Sequence, residues 1–507
     1  MGRVLALVAV FLLIALALAL RLPQLGNRPF HGDEAVHAVK FQELWAHGKY
    51  AYDPNEFHGP TIYYAALPFV AASGHRLIAD MQESDFRTAI AVLGAAMVGL
   101  LLLLKKPLGL HALLWAGLFL ALSPAFVFYS RYFIQEVFLA AFTLGFFGFA
   151  LRGSAIGAGI FAGLMFATKE TAALSLFAAG IAWFFALRDR EGKMLAWRPI
   201  LLTITIALAV AYVFLSGFFT NPAGPLGYLQ TYTPWLRRAG GTDLHKHPWH
   251  YYLSLLAWHS GPRGTISSEG LILALGVIGA ALKFRTPFGR FLTLYTLLLT
   301  GIYAVIPYKT PWCLLNFLLP WTLLAGLGAA GIVEAARSKS LKVLAVLLIL
   351  LGAAQLGWQA YKASFVFQNE ARNPYLYSPT VPDVNQLKVQ LEALAQSHPQ
   401  KFDMVIQVIS SDGYYWPLPW YLRRFNVDKI GYYTQIPEPP YAPVVLASPE
   451  FDEALTPRLK SHIMTGFAAL RPAVSFQMFV DQSLWETYLK KNGPVKDERE
   501  DTWVPLH

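Results

Sequence analysis

Long apolar segments at 4–20, 86–104, 110–128, 133–151, 154–168, 171–187, 200–219, 269–283, 289–306, 313–333 and 341–361 constrain this chain more than anything else in it. Each approaches the roughly 20 residues that a helix needs to cross about 30 Å of hydrocarbon. Inside a bilayer only helices and closed barrels satisfy every backbone N–H and C=O. With 55% hydrophobic and 14% charged residues in 507, an ordinary soluble domain is excluded. The expectation is a mainly α, polytopic membrane protein with roughly eleven spans. Val4 to Leu20 reads as an uncleaved anchor, because it runs into Arg21-Leu22-Pro23 without a small-x-small cleavage site.

The net charge of +10 gains meaning when it is located. With the N-terminus inside, alternate loops carry Lys105 and Lys106, then Arg152, then Arg188, Arg190, Lys193 and Arg198, then Lys283, Arg285 and Arg290, then Arg337, Lys339 and Lys342. Basic residues mark cytoplasmic loops, so the opposite loops face out: His31 to Ala71, Tyr129 to Arg131, Lys169-Glu170, Asn221 to Ser268, and Tyr308-Lys309-Thr310. The same threading puts residues 362–507 outside as a small α/β domain, with strands at Phe402–Ile409 and Pro443–Ala447 and a short helix at Leu418–Phe425. Residues 1–361 form the membrane domain, with a first outer loop at 21–85 and a large one at 220–268. The single cysteine, Cys313, rules out an intramolecular disulfide.

The first outer loop is the richest in chemistry. His31-Gly32-Asp33-Glu34-Ala35-Val36-His37 opens an amphipathic helix, and Glu56-Phe57-His58-Gly59-Pro60 turns the chain into another that carries Tyr63 and Tyr64. Two acids at a positive helix end beside the hydrocarbon edge point to an interfacial active site, and helix capping is the competing account of both Asp33 and Glu34. A divalent cation held by Asp33, Glu34 and His37 is a further option, although the chain contains no His-Glu-x-x-His pair. The large outer loop holds Tyr232, Trp235, Arg237, Arg238, Asp243, His245, His247, Trp249 and His250, and reads as contacting substrate.

The Asp33-Glu34 pair, Tyr129-Ser130-Arg131-Tyr132 followed by Glu136, the Lys169-Glu170 pair and the many-span layout over residues 1–330 resemble the GT-C glycosyltransferases that use lipid-linked sugars. That family includes protein O-mannosyltransferases, bacterial aminoarabinose transferases and RgtA/B/C/D-like transferases. Tyr308-Lys309-Thr310-Pro311-Trp312 and Tyr414-Tyr415-Trp416-Pro417-Leu418-Pro419-Trp420-Tyr421 are similar to strings of a prokaryotic subfamily named for its association with flippase activity. The resemblance implies transfer of a sugar from polyprenyl phosphate to an acceptor hydroxyl or amine on the non-cytoplasmic face, with inversion.

In that chemistry Asp33 takes the acceptor proton with Glu34 assisting, and Arg131, Lys169 and Lys309 neutralise the departing phosphate. His31, His37, His58, Tyr63, Glu136, Glu170, Tyr308 and Trp312 then contact substrate. Each has a structural alternative: the cations snorkel, Lys169 pairs with Glu170, Glu136 holds Arg131, and the aromatics form an interfacial belt. The Tyr414 to Tyr421 string has the composition of a carbohydrate surface and equally of a domain core. The expected partners are a polyprenyl-phosphate-linked sugar, a glycan, lipid or protein acceptor and membrane lipids, with no nucleic acid and no resident cofactor. A flippase or a non-catalytic accessory subunit is the alternative, weakened because the charged residues gather at one face whereas transporters place them at the midplane.

Overall fold

The computed structural model describes residues 3–55, 58–187, 197–240, 245–261, 266–370, 372–411 and 413–493. Glu56, Phe57, Arg188, Arg190, Lys193 and Asp243, which entered the sequence reading, lie outside the described residues, as does the side chain of Arg238. The chain divides into two compact units: Met1–Asn27, Lys40–His75 and Met81–Tyr377, and Arg28–Val39, Arg76–Asp80 and Ser378–His507.

The first unit is helical, and a helix occupies each of the apolar segments read as spans. Among the described residues six helices are long and apolar enough to cross a bilayer: Val4–Arg21, Glu83–Leu108, Trp197–Leu215, Pro287–Val305, Pro311–Ala335 and Lys339–Val366. Shorter apolar helices accompany them, among them Glu136–Ala150, Ala155–Phe166 and Gly270–Lys283. The segment at 110–128 is broken at Ser123, because Pro124 disfavours helical backbone before it. Leu315–Ala335 is the core helix, buried along nearly its whole length. It meets Gly270–Lys283 at a glycine contact where a Cβ on Gly279 would stand 2.0 Å from the Leu324 carbonyl oxygen and one on Gly328 2.0 Å from that of Leu275. Small residues let membrane helices approach this closely, where hydrophobicity alone gives no driving force. A two-residue hairpin, β1 (His259–Ser260) and β2 (Ile266–Ser267), lies in the large outer loop.

The second unit is an α/β domain on a five-stranded sheet ordered β4-β3-β5-β7-β6, from β3 (Ile406–Ile409), β4 (Ile430–Tyr433), β5 (Val444–Ala447), β6 (His462–Arg471) and β7 (Val474–Asp481). β3 runs parallel to β4 and β5, with Val408 opposite Leu446, and β7 is antiparallel to β5 and β6. β3 and β5 are buried at every residue, as central strands covered on both faces must be. Ile409, Val445, Ala447, Leu455, Leu459 and Phe479 form one core cluster. The helix expected at 418–425 closes after one turn, at Leu418–Tyr421.

Candidate functional site

The acidic motif lies in the second unit, at the start of the helix Gly32–His47. Its cap is built from His31 and Glu34. The His31 backbone N–H donates to Glu34 Oε2 at 2.9 Å, and the Asp33 N–H donates to His31 Nδ1 at 3.1 Å. This is the reciprocal logic of a capping box, with an imidazole in place of the usual hydroxyl. Burial pulls the His31 pKa below its ordinary value, against the pull of Asp33 and Glu34, so the ring stays neutral and able to accept. Glu34 is fully buried and paired with Arg28 at 3.1 Å. Of the two acids for which capping was the competing account, it therefore explains Glu34. The Asp33 side chain remains 52% exposed, with Oδ1 3.9 Å from His31 Nδ1. His37, one turn on, is buried.

The turn is fastened within its own unit. Phe30 N–H donates to the Tyr421 hydroxyl at 3.0 Å, Thr380 Oγ1 donates to Phe30 O at 2.6 Å, and the Phe30 ring lies 5.0 Å from that of Trp420. The buried half of the Tyr414 to Tyr421 string is thus packing, and what it packs is the approach to Asp33.

A second polar cluster forms in the first unit, where residues 58–61 are laced to 167–170. Gly59 N–H donates to Thr168 O at 3.0 Å, Thr61 N–H to Ala167 O at 3.3 Å, and the hydroxyls of Thr61 and Thr168 meet at 2.8 Å. Only glycine fits at 59, since a Cβ would stand 2.1 Å from the Ala167 carbonyl oxygen. This lacing sets Lys169 and Glu170 on different partners. Lys169 forms a buried ion pair with Glu136, with Cys313 Sγ 4.0 Å from the same carboxylate. Burial works against the Lys169 ammonium, but Glu136 outweighs it and raises its pKa. Glu170 takes His58 Nδ1 at 2.8 Å and the Tyr52 hydroxyl at 3.1 Å. Burial would raise the Glu170 pKa, but His58 prevails and holds it below the ordinary value. Two expected pairings, Lys169 with Glu170 and Glu136 with Arg131, are therefore replaced by Lys169 with Glu136 and Glu170 with His58.

Arg131 donates to the carbonyls of Arg21, Pro23 and Gln24 at 3.0, 2.6 and 3.3 Å and lies over the Phe365 ring. It thereby satisfies carbonyls where the first span ends, as a cation at a helix C-terminus does. Lys309 Nζ donates to the carbonyls of His247, at 3.2 Å, and Ile306. Two backbone bonds, Lys309 N–H to His245 O at 3.0 Å and His247 N–H to Pro307 O at 3.1 Å, tie the large outer loop to the segment carrying Tyr308. Tyr308 stands edge-on to His245, Trp312 edge-on to Tyr377, and Tyr63 is fully buried against Tyr50. Among the described residues, no three His, Cys, Asp or Glu side chains converge as a metal-ligand set.

Alongside the cluster runs an apolar groove of about 860 Å³, lined by residues from Ser154 to Phe166 on one helix and Pro199 to Leu215 on another. Tyr228 and Tyr232 line it too, and the Tyr232 hydroxyl donates to Glu170 O at 3.3 Å. The groove therefore reaches the His58–Glu170 cluster. Sequence reasoning missed Arg28 and Tyr52. Arg28 alone carried a signal, as a basic residue six positions before a glutamate that burial requires to be paired.

No protein-family model matches the sequence, and no curated protein matches it. Among solved structures, ArnT from Cupriavidus metallidurans bound to undecaprenyl phosphate is similar over 94% of this chain and 98% of its own, with a TM-score of 0.65 and 16% identity. The Archaeoglobus fulgidus oligosaccharyltransferase is similar over 85% of this chain and 64% of its own, with a TM-score of 0.57 and 11% identity. The mycobacterial arabinofuranosyltransferase AftD is similar over 95% of this chain and 40% of its own, with a TM-score of 0.51 and 12% identity. These likenesses establish the fold as GT-C, that of a multi-pass membrane protein.

Proposed function

We propose that the chain is an integral membrane glycosyltransferase that moves a sugar from polyprenyl phosphate to an acceptor hydroxyl or amine on the non-cytoplasmic face, with Asp33 as general base. The observation that carries this reading is how the predicted acids are used. Glu34, Glu136 and Glu170 are buried and bonded to Arg28, Lys169 and His58, whereas Asp33 keeps half of its side chain exposed at a helix N-terminus. As the acceptor attacks the anomeric carbon, its proton passes to an Asp33 carboxylate oxygen. The carbon–oxygen bond to phosphate breaks, and polyprenyl phosphate leaves with the electron pair.

Glu34 assists by holding the turn. Arg131 and Lys309 are the proposed cationic donors to the departing phosphate. Lys169, balanced by Glu136, offers N–H donors there and no net charge. Tyr308 and Trp312 are the proposed aromatic faces for the sugar. The apolar groove suits an isoprenoid tail, being within the roughly 300–1,000 Å³ of ligand cavities, and the bound undecaprenyl phosphate of the structurally similar ArnT accords with such a donor. The basic loops support a cytoplasmic N-terminus and an extracytoplasmic second unit. The test is transfer of labelled sugar from a panel of polyprenyl-phosphate sugars to mixed acceptors by the full chain in nanodiscs. Donor binding without turnover, in the presence of every acceptor class, would turn the reading toward a flippase or accessory subunit.

A further inference from the structure

Within the second unit the aromatic string divides into two halves with different surroundings. Leu418, Trp420 and Tyr421 are buried, the last two holding Phe30, while Tyr414 is 39% exposed and Tyr415 and Trp416 are partly so. The exposed half is ordered. Tyr415 packs on Tyr432 with ring centroids 4.3 Å apart and planes at 32°, and Trp416 stacks on Tyr415 at 6.1 Å and 30°. The Arg471 guanidinium, at the end of β6, lies 5.1 Å from the centroid of the Tyr414 ring. A guanidinium held by its face over a ring leaves N–H donors at its edge.

This surface adjoins the acidic turn, since a Cβ on Gly32 would stand 3.9 Å from Trp416 Cβ. The field agrees: burial lowers the Arg471 pKa, while Tyr414 and the Asp33 carboxylate act against it. We infer that Tyr414, Tyr415, Trp416 and Arg471 form a glycan-binding surface that presents an acceptor sugar to Asp33. Aromatic faces accept the C–H side of a pyranose ring, and the guanidinium edge donates to its hydroxyl or acidic groups. Packing does not require this half to be exposed, because the buried half already holds the turn. The acceptor assignment rests on the transferase reading, whereas glycan binding does not.

The experiment is retention of the full chain, in nanodiscs, on an array of neutral and acidic oligosaccharides, without any donor. Wild type is expected to be retained by a defined set of these glycans, with apparent Kd raised tenfold or more in Arg471→Gln and in Tyr414→Leu. Arg471→Lys, which keeps the charge but not the planar stack, should fall between. Unchanged thermal unfolding of the variants would show that the fold is intact. If wild type is retained by no glycan, or if the variants bind as wild type does, the proposal is overturned. Retention that depends on Arg471 in a protein without transfer activity would keep the surface and remove the transferase reading.

Discussion

Each unit carries a pair of adjacent charged residues, and the two pairs are handled differently. In the first unit Lys169 and Glu170 are both buried, and each is matched by a group from elsewhere in the chain, Glu136 and His58. In the second unit Glu34 is matched in the same way, by Arg28, and Asp33 is left half-exposed. Burying a charge without a partner is costly, so a matched buried charge is explained by its partner. Asp33 has no such explanation, and that contrast separates the groups that hold the fold from the group available for chemistry.

The contrast breaks first at the buried ion pair. Glu136→Gln leaves the Lys169 ammonium uncompensated and should lower unfolding free energy by about 3–5 kcal/mol. The double variant Glu136→Leu/Lys169→Met should recover most of it, which denaturant unfolding of wild type, Glu136→Leu, Lys169→Met and the double variant would measure. An additive double variant would mean that the pair is not a unit.

Glu34→Gln tests the second unit. Loss of the charge opposite Arg28, with the amide oxygen still able to accept from the His31 N–H, should cost about 1–3 kcal/mol, and turnover at temperatures where the protein is folded should fall less than tenfold. A larger fall would move Glu34 into the chemistry.

Filling the groove is a smaller change. Ala162→Phe, at a lining residue, should raise the donor KM several-fold and leave the acceptor KM unchanged. Equal shifts in both would disconnect the groove from the donor.

Acidification should separate the units by the least energy, no more than about 1.4 kcal/mol per pH unit for each group. The His31 pKa is lowered by burial, so its contribution is complete above the unfolded value of 6.5 and is lost as pH falls below it. The Glu170 pKa is lowered by His58 after burial is overcome, so its contribution is complete above 4.5 and is lost only below that. Hydrogen exchange at stepped pH should therefore show the 28–39 turn loosening before the 167–171 segment, and His31→Gln should remove the first step.

The membrane helices were legible because apolar runs of span length have few other folds. The second unit was legible in part. Phe402–Ile409 and Pro443–Ala447 announced β3 and β5, but the β6–β7 hairpin carries Ala473 at φ +64° where glycine would have signalled a turn. That residues 28–39 group with 378–493 was invisible, because Tyr421 and Thr380 lie more than 300 positions from Phe30. In the site, residue types were readable and pairings were not. Adjacent residues such as Lys169 and Glu170 point in different directions, and no local spacing rule links Lys169 to Glu136, 33 positions earlier.

The most direct measurement compares Asp33→Asn with wild type in two readouts on the same preparation, sugar transfer from polyprenyl phosphate and thermal unfolding. A catalytic base that holds nothing in the fold predicts turnover lower by about 10²–10⁴ with an unchanged unfolding midpoint. Full turnover in Asp33→Asn, or a loss of activity that tracks a fall in the midpoint, would contradict it.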